Sequence, residues 1–194
     1  MRIFIALDID EGIRGRIQRF VEGVSGFASE ARWVHPESMH VTLKFIGEQP
    51  AESVEEIKHA VSAVKGEPFE ISFRGYGFFP TAKAARVFWV GIESGPQLAG
   101  LATSIDQATS ALGIPKEDHA YSPHLTLARG GRSEAPGRQK EDHANRGFLR
   151  LQEKLAAMPT PEFGTMTAHE FFLYQSQLLR GGARYTKIER FGLG

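Results

Sequence analysis

Apolar positions along the chain fall into two rhythms that take turns. Ile3, Phe4, Ile5, Ala6 and Leu7 form a short continuous run ended by Asp8, which predicts a strand. Ile13, Ile17, Phe20, Val21 and Val24 then recur on one stripe, predicting a helix that Asp10 is placed to cap. The segment HVTLKFIG, bounded by Pro36 and Gly47 and rich in β-formers, predicts the next strand. Helical spacing returns at Val54, Ile57, Val61 and Val64 and ends at Gly66 and Pro68. Residues 69–79 and 86–92 read as two strands of a hairpin, joined by the turn-like stretch 80–84. Leu98, Leu101, Ile105 and Leu112 mark another helix, stopped by Gly113 and Pro115, and SPHLTLARGG follows as a strand. Residues 130–147 are polar and glycine-bearing, so a loop is expected there, leading into a short helix through Leu151 and Leu155. Strands over 163–174 and 184–191, around the reversal at Gly181 and Gly182, close the chain. This order does not alternate cleanly enough for a doubly wound parallel sheet, and predicts an α+β fold of two lobes. With no linker or low-complexity tract, residues 1–194 are expected to form a single bilobal domain.

Composition narrows the chemistry. Twenty-three basic and twenty-three acidic residues cancel, which argues against a broad basic face for duplex binding. Any nucleic-acid role then rests on a small site that reads an end or a single phosphate. The chain contains no cysteine, so disulfides, thiolate zinc sites and a cysteine nucleophile are excluded. The opening MRIFIALDID is too short in apolar length for a signal peptide or a bilayer span, so a soluble cytoplasmic protein without membrane attachment is expected, with a monomer as the default state.

One short pattern occurs twice. His40-Val41-Thr42-Leu43 and His124-Leu125-Thr126-Leu127 both read His, apolar, Thr, apolar within expected strands. Strand geometry places His40 and Thr42 on one face and Val41, Leu43 and Phe45 on the other, with the second copy alike. Roughly 0.05 such matches are expected by chance in a chain of this composition, so two are significant where one is weak. A lone strand histidine is usually hydrogen-bonded and inert, and duplication reverses that reading. Imidazole is also a common zinc ligand, but no nearby spacing completes a metal site, and none is assigned. Two imidazoles that titrate near neutrality supply what phosphoester cleavage requires: one takes a proton from the nucleophile and the other gives one to the leaving oxygen. Thr42 and Thr126 are candidate donors to the non-bridging oxygens, and Arg129 adds bidentate charge. Strict alternation sets Arg129 on the face away from His124, so its role requires a twist or strand end there.

The chain resembles the two-histidine phosphoesterase superfamily, and within it the LigT-like RNA 2',3'-cyclic phosphodiesterases, also called 2'-5' RNA ligases. The likeness runs nearly end to end through RIFIALDI, RWVHPESMHVTLKFIG, GFFP with RVFWVGI, SPHLTLAR and GGARYTKIERF. It implies two pseudo-symmetric lobes, each a mainly antiparallel sheet with outer helices, and an active cleft between the sheets. It also implies His40 as proton donor to the departing ribose oxygen, His124 as the base that activates water, and Thr42 and Thr126 on the phosphate. The product is then a 2'-phosphate, with no cofactor, and the same roles run backwards give 2'-5' joining. RNA ending in a 2',3'-cyclic phosphate, tRNA fragments included, is the expected partner. Two other readings compete: a phosphodiesterase for small cyclic phosphates such as nucleotides or ADP-ribose cyclic phosphate, and a non-catalytic RNA-end-binding module.

Several residues take the bland reading. Lys44 shares parity with His40, but a solvated lysine is expected. Phe78, Phe79 and Trp89 offer either a stacking surface or core, with core expected for Trp89. His35, His59, His119, His143 and His169 lack the threonine context and are not assigned to the site.

Overall fold

The computed structural model describes residues 1–130 and 140–194, with the side chains of the last helix described from residue 147 onward. Two antiparallel sheets face each other. One has the strand order β3-β1-β8-β9, built from β1 (Arg2–Leu7), β3 (Val41–Glu48), β8 (Glu170–Leu179) and β9 (Gly182–Gly192). The other has the order β2-β6-β5-β4-β7, from β2 (Arg32–Trp33), β4 (Phe69–Phe79), β5 (Val87–Ser94), β6 (His124–Arg129) and β7 (Glu162–Ala168). Helices α2 (Ala51–Ser62) and α3 (Pro96–Ser110) pack together and touch β9 and β3, while α1 (Glu11–Val24) lies against β7. Helix α4 (Lys140–Ala156) packs on the 3-10 turn Ser25–Ala28 that extends α1. This is the α+β, two-lobed arrangement of antiparallel sheets and outer helices that the sequence predicts.

Period-two burial explains why the sheets hold. Ile3, Ile5 and Leu7 point into the main core, while Phe4 and Ala6 point the other way and form a small second cluster with Phe172 and Tyr174. In the second sheet Phe88, Val90, Leu125 and Leu127 fill the core, leaving the alternate residues to the cleft.

Several boundaries differ from the sequence reading. Asp10 sits at the N-cap of α1, but its side chain makes no capping bond. Val64 and Leu112 lie beyond the ends of α2 and α3, because the chain leaves helical geometry before the periodicity runs out. The expected strand over 163–174 is two strands in different sheets, parted at His169: β7 pairs with β4, and β8 with β1. Sequence alone cannot show that a strand changes partner. The short strand β2 was not anticipated; it owes its state to pairing with β6. Of the expected loop 130–147, residues 140–147 are helical, and 131–139 lie outside the described residues. Among the described residues no helix is long and apolar enough to cross a membrane.

Candidate active site

The two histidines stand at the mouths of two strands that meet across the cleft. His40 ends the segment that precedes β3, one residue outside the strand, and His124 opens β6. Each ring is oriented in the same way: Nδ1 bonds the backbone carbonyl two residues upstream, Ser38 for His40 and Ser122 for His124, both at 2.8 Å. A carbonyl only accepts, so Nδ1 carries the proton and Nε2 presents its lone pair to the cleft. At His40 that lone pair takes the Thr42 hydroxyl at 3.1 Å. The imidazoles therefore rest as neutral bases turned inward.

Burial reinforces this state. Loss of water pushes the His40 pKa down to about 4, opposed by the Ser38 carbonyl and Asp8 and aided by the charge of Arg129 and by that of His124 whenever its ring is protonated. His124 is lowered for the same reason, with Arg129 again contributing and Ser122 opposing. Arg129 thus acts on both rings, as a guanidinium in the shared cleft must.

Its placement resolves the parity problem. Between β5 and β6 the register slips at Leu127: Trp89 pairs with Thr126, and Phe88 with Ala128. This bulge buries Leu127 and Ala128 in succession and turns Arg129 back to the side of His124 and Thr126. A matching slip at Leu43, with Ala6 opposite Thr42 and Ile5 opposite Lys44, corrects the expectation for Lys44. Instead of reaching solvent, its ammonium is 2% exposed and bonds Asp106 at 2.7 Å and the Pro115 carbonyl at 2.7 Å, with Glu117 at 3.3 Å. Phe45, assigned by alternation to the core face, is the residue turned out.

Aromatic rings line both sides. Phe4, Tyr185 and Tyr174 surround His40 at centroid distances of 4.8, 5.2 and 6.2 Å. Phe79 meets His124 edge-on at 4.9 Å, and Trp89 lies 6.3 Å from it. Trp89 is therefore a cleft residue and not core, because its neighbours Phe88 and Val90 take the inward positions. Gly77 makes this possible, since any β-carbon there would fall about 2.1 Å from the indole. The Trp89 Nε1 is buried without a hydrogen-bond partner among the described residues. Phe78 joins the core as the alternate reading expected.

A polar brace behind His40 was not legible in the sequence. Arg14 bonds Asp8 at 2.6 Å, Glu11 at 3.1 Å and the carbonyl of Pro36, and Lys187 reaches Asp8 at 2.5 Å. Burial alone would raise the Asp8 pKa, yet bonds from Lys187 and the Ile9 amide, with the charges of Lys187 and Arg14, bring it below its usual value. Asp8 just after β1, Arg14 of α1 and Lys187 of β9 thereby fix the turn that carries Ser38 and His40. Among the described residues no three His, Cys, Asp or Glu side chains converge as metal ligands.

The model of the family described as LigT like Phosphoesterase matches the chain twice, over residues 7–89 and 90–185, one histidine motif in each match. This chain belongs to the LigT-like phosphoesterase family. Its relatives include proteins named RNA 2',3'-cyclic phosphodiesterase. The one from Methanothermobacter thermautotrophicus is 35% identical, covering 100% of this chain and 99% of its own. That of Archaeoglobus fulgidus is 31% identical, covering 98% and 99%. Among solved structures, one described as a phosphoesterase superposes with TM-score 0.78 at 26% identity over 99% of this chain and 97% of that one. E. coli LigT complexed with NADP+ does so with TM-score 0.76 at 26% identity over 99% and 96%. Of the five residues singled out from the sequence, His40, Thr42 and His124 line cavities at the cleft and Arg129 lies near enough to act on both rings, while Thr126 stands two residues along β6 from His124.

Proposed function

We propose that this chain hydrolyses 2',3'-cyclic phosphate ends of RNA to 2'-phosphomonoesters by metal-independent acid–base catalysis. Water attacks phosphorus as its proton passes to Nε2 of His124; the bond from phosphorus to the ribose 3' oxygen breaks, and that oxygen takes a proton from Nε2 of His40. The observation that carries this reading is the pair of imidazoles, each locked by the same 2.8 Å bond so that Nε2 faces the cleft. The names of the full-length relatives supply the substrate class.

His40 as donor must first gain a proton that its burial disfavours. A bound phosphate anion supplies the opposing field, raising both histidines just where and when the proton is needed. Protonation of Nε2 also releases the Thr42 hydroxyl from the ring. Thr42, Thr126 and Arg129 then stabilise the charge that spreads over the non-bridging oxygens. With a 5'-hydroxyl in place of water as the nucleophile, the same roles join it to the cyclic phosphate through a 2'-5' bond, the 3' oxygen leaving as before. A second reading, cleavage of small nucleotide cyclic phosphates, draws support from the E. coli LigT structure complexed with NADP+.

The test is conversion of a short RNA ending in a 2',3'-cyclic phosphate, with EDTA present. Wild type is expected to yield the 2'-phosphate, and His40→Ala and His124→Ala to lose about two to four orders of magnitude each in kcat. Turnover abolished by EDTA, or retained in either variant, refutes the mechanism; turnover only of mononucleotides favours the second reading.

A further inference from the structure

Each imidazole is oriented by a carbonyl on the segment before it, so whatever holds that segment also holds the ring. Before His40 the segment is a short turn, gripped by the buried Arg14, which bonds the Pro36 carbonyl. Before His124 it is longer and barer. Residues 114–123 form neither helix nor strand, and every residue between the buried Ile114 and the half-buried Tyr121 is exposed. A segment with so little apolar burial opens readily unless polar contacts pin it. Its pins lead to β3. The buried Lys44 ammonium bonds the Pro115 carbonyl and Asp106 of α3, both at 2.7 Å, and lies 3.3 Å from the Glu117 carboxylate. Asp106 also accepts the Glu117 amide at 3.3 Å. Further along, the Tyr121 hydroxyl bonds the Thr42 carbonyl at 2.8 Å, and the next residue, Ser122, supplies the carbonyl that locks His124. In each lobe, then, a buried cation from another element grips a proline carbonyl upstream of the serine that orients the imidazole.

Resting on the reading that His124 is the catalytic base, we propose that Lys44 is its positioning residue: the buried ammonium ties segment 114–123 to β3 and so sets the Ser122 carbonyl against Nδ1 of His124. The charge that acts on the His124 ring is that of Arg129, so Lys44 works through geometry and not through its field. The bulge at Leu43 turns the lysine inward, so one irregularity of β3 leaves Thr42 on the cleft and supplies the anchor for the opposite motif. The strand that carries one motif thereby fixes the tautomer and the place of the base in the other. A buried ion pair is a poor source of stability compared with apolar packing, but it fixes geometry well, and a small misplacement of a base is costly in rate.

Nitrogen NMR of the histidine rings at mildly alkaline pH, where both are neutral, reads each tautomer without requiring turnover. Lys44→Met alone leaves Asp106 and Glu117 without their cation and can fail to fold. The deciding chain is therefore Lys44→Met combined with Asp106→Leu, which removes both partners of the pair at once and is expected to stay near wild-type stability. In that chain kcat on the cyclic-phosphate RNA should fall about tenfold or more while KM stays within about twofold. His124 should give a mixture of tautomers where wild type keeps the proton on Nδ1, and His40, held by Arg14, should keep its Nδ1–H form. An unchanged kcat or an unchanged His124 tautomer overturns the proposal. Equal loosening of both rings marks general damage and overturns it too, as does a wild-type His124 protonated on Nε2. Absence of RNA turnover by wild type alongside a Lys44-dependent His124 tautomer would instead refute the proposed hydrolysis and leave the positioning role standing.

Discussion

Each histidine commits one ring nitrogen to a backbone carbonyl, and that bond decides which nitrogen the cleft sees. Burial then decides its charge. A histidine whose folded pKa falls from 6.5 to about 4 favours the folded state when neutral. Its contribution is complete above pH 6.5 and disappears as pH falls through that window to about 4, because the unfolded chain binds the proton first. Chemical denaturation at pH 7 and pH 4 should therefore show wild type losing up to roughly 3 kcal/mol more than His40→Gln over that span. Equal losses would mean that His40 is not held neutral. The identity of the two histidines was readable from their repeated context, but neither ring's tautomer nor its charge was, since both depend on carbonyls and charges that only folding brings near.

At the level of strands, alternation served as far as the bulges and then failed in both copies at once. One extra residue in a ladder inverts every side chain beyond it. That is why Arg129, assigned to the wrong face by strict period two, shares the cleft with His124, and why Lys44 lies inside. The pattern HVTLKF carries no mark of this: bulging is set by register against β1, a strand some forty residues away in sequence. Buried Lys44 then depends on Asp106 of α3. Asp106→Asn keeps an acceptor but removes the closest opposing charge, leaving Glu117 at 3.3 Å as the carboxylate partner of the ammonium, and should lower stability by roughly 3 kcal/mol in urea unfolding. A change below about 0.5 kcal/mol would show that the pair contributes nothing, as for exposed ion pairs.

Across the whole molecule, the chain weaves between lobes: β1 and β3 lie in one sheet and β2 between them in the other, so neither lobe is a continuous half of the sequence. The joint between the sheets includes the Tyr121 hydroxyl, which donates to the Thr42 carbonyl at 2.8 Å on the outer edge of β3. Tyr121→Phe removes that bond alone; the expected result is about 1 kcal/mol less stability, with a fall in kcat larger than any change in KM because the two motifs lose a fixed spacing. An unchanged kcat would show that the sheets hold their distance without it. The paired motifs, the period of each helix and strand, and the likeness to a two-histidine phosphoesterase were all local in sequence, and local patterns are preserved in a string of residues. Register, the change of sheet at His169, the inward turn of Lys44 and the outward turns of Phe45 and Arg129 arise from which strands pair and how they slip. Those outcomes depend on contacts between distant segments, and only the folded chain contains them.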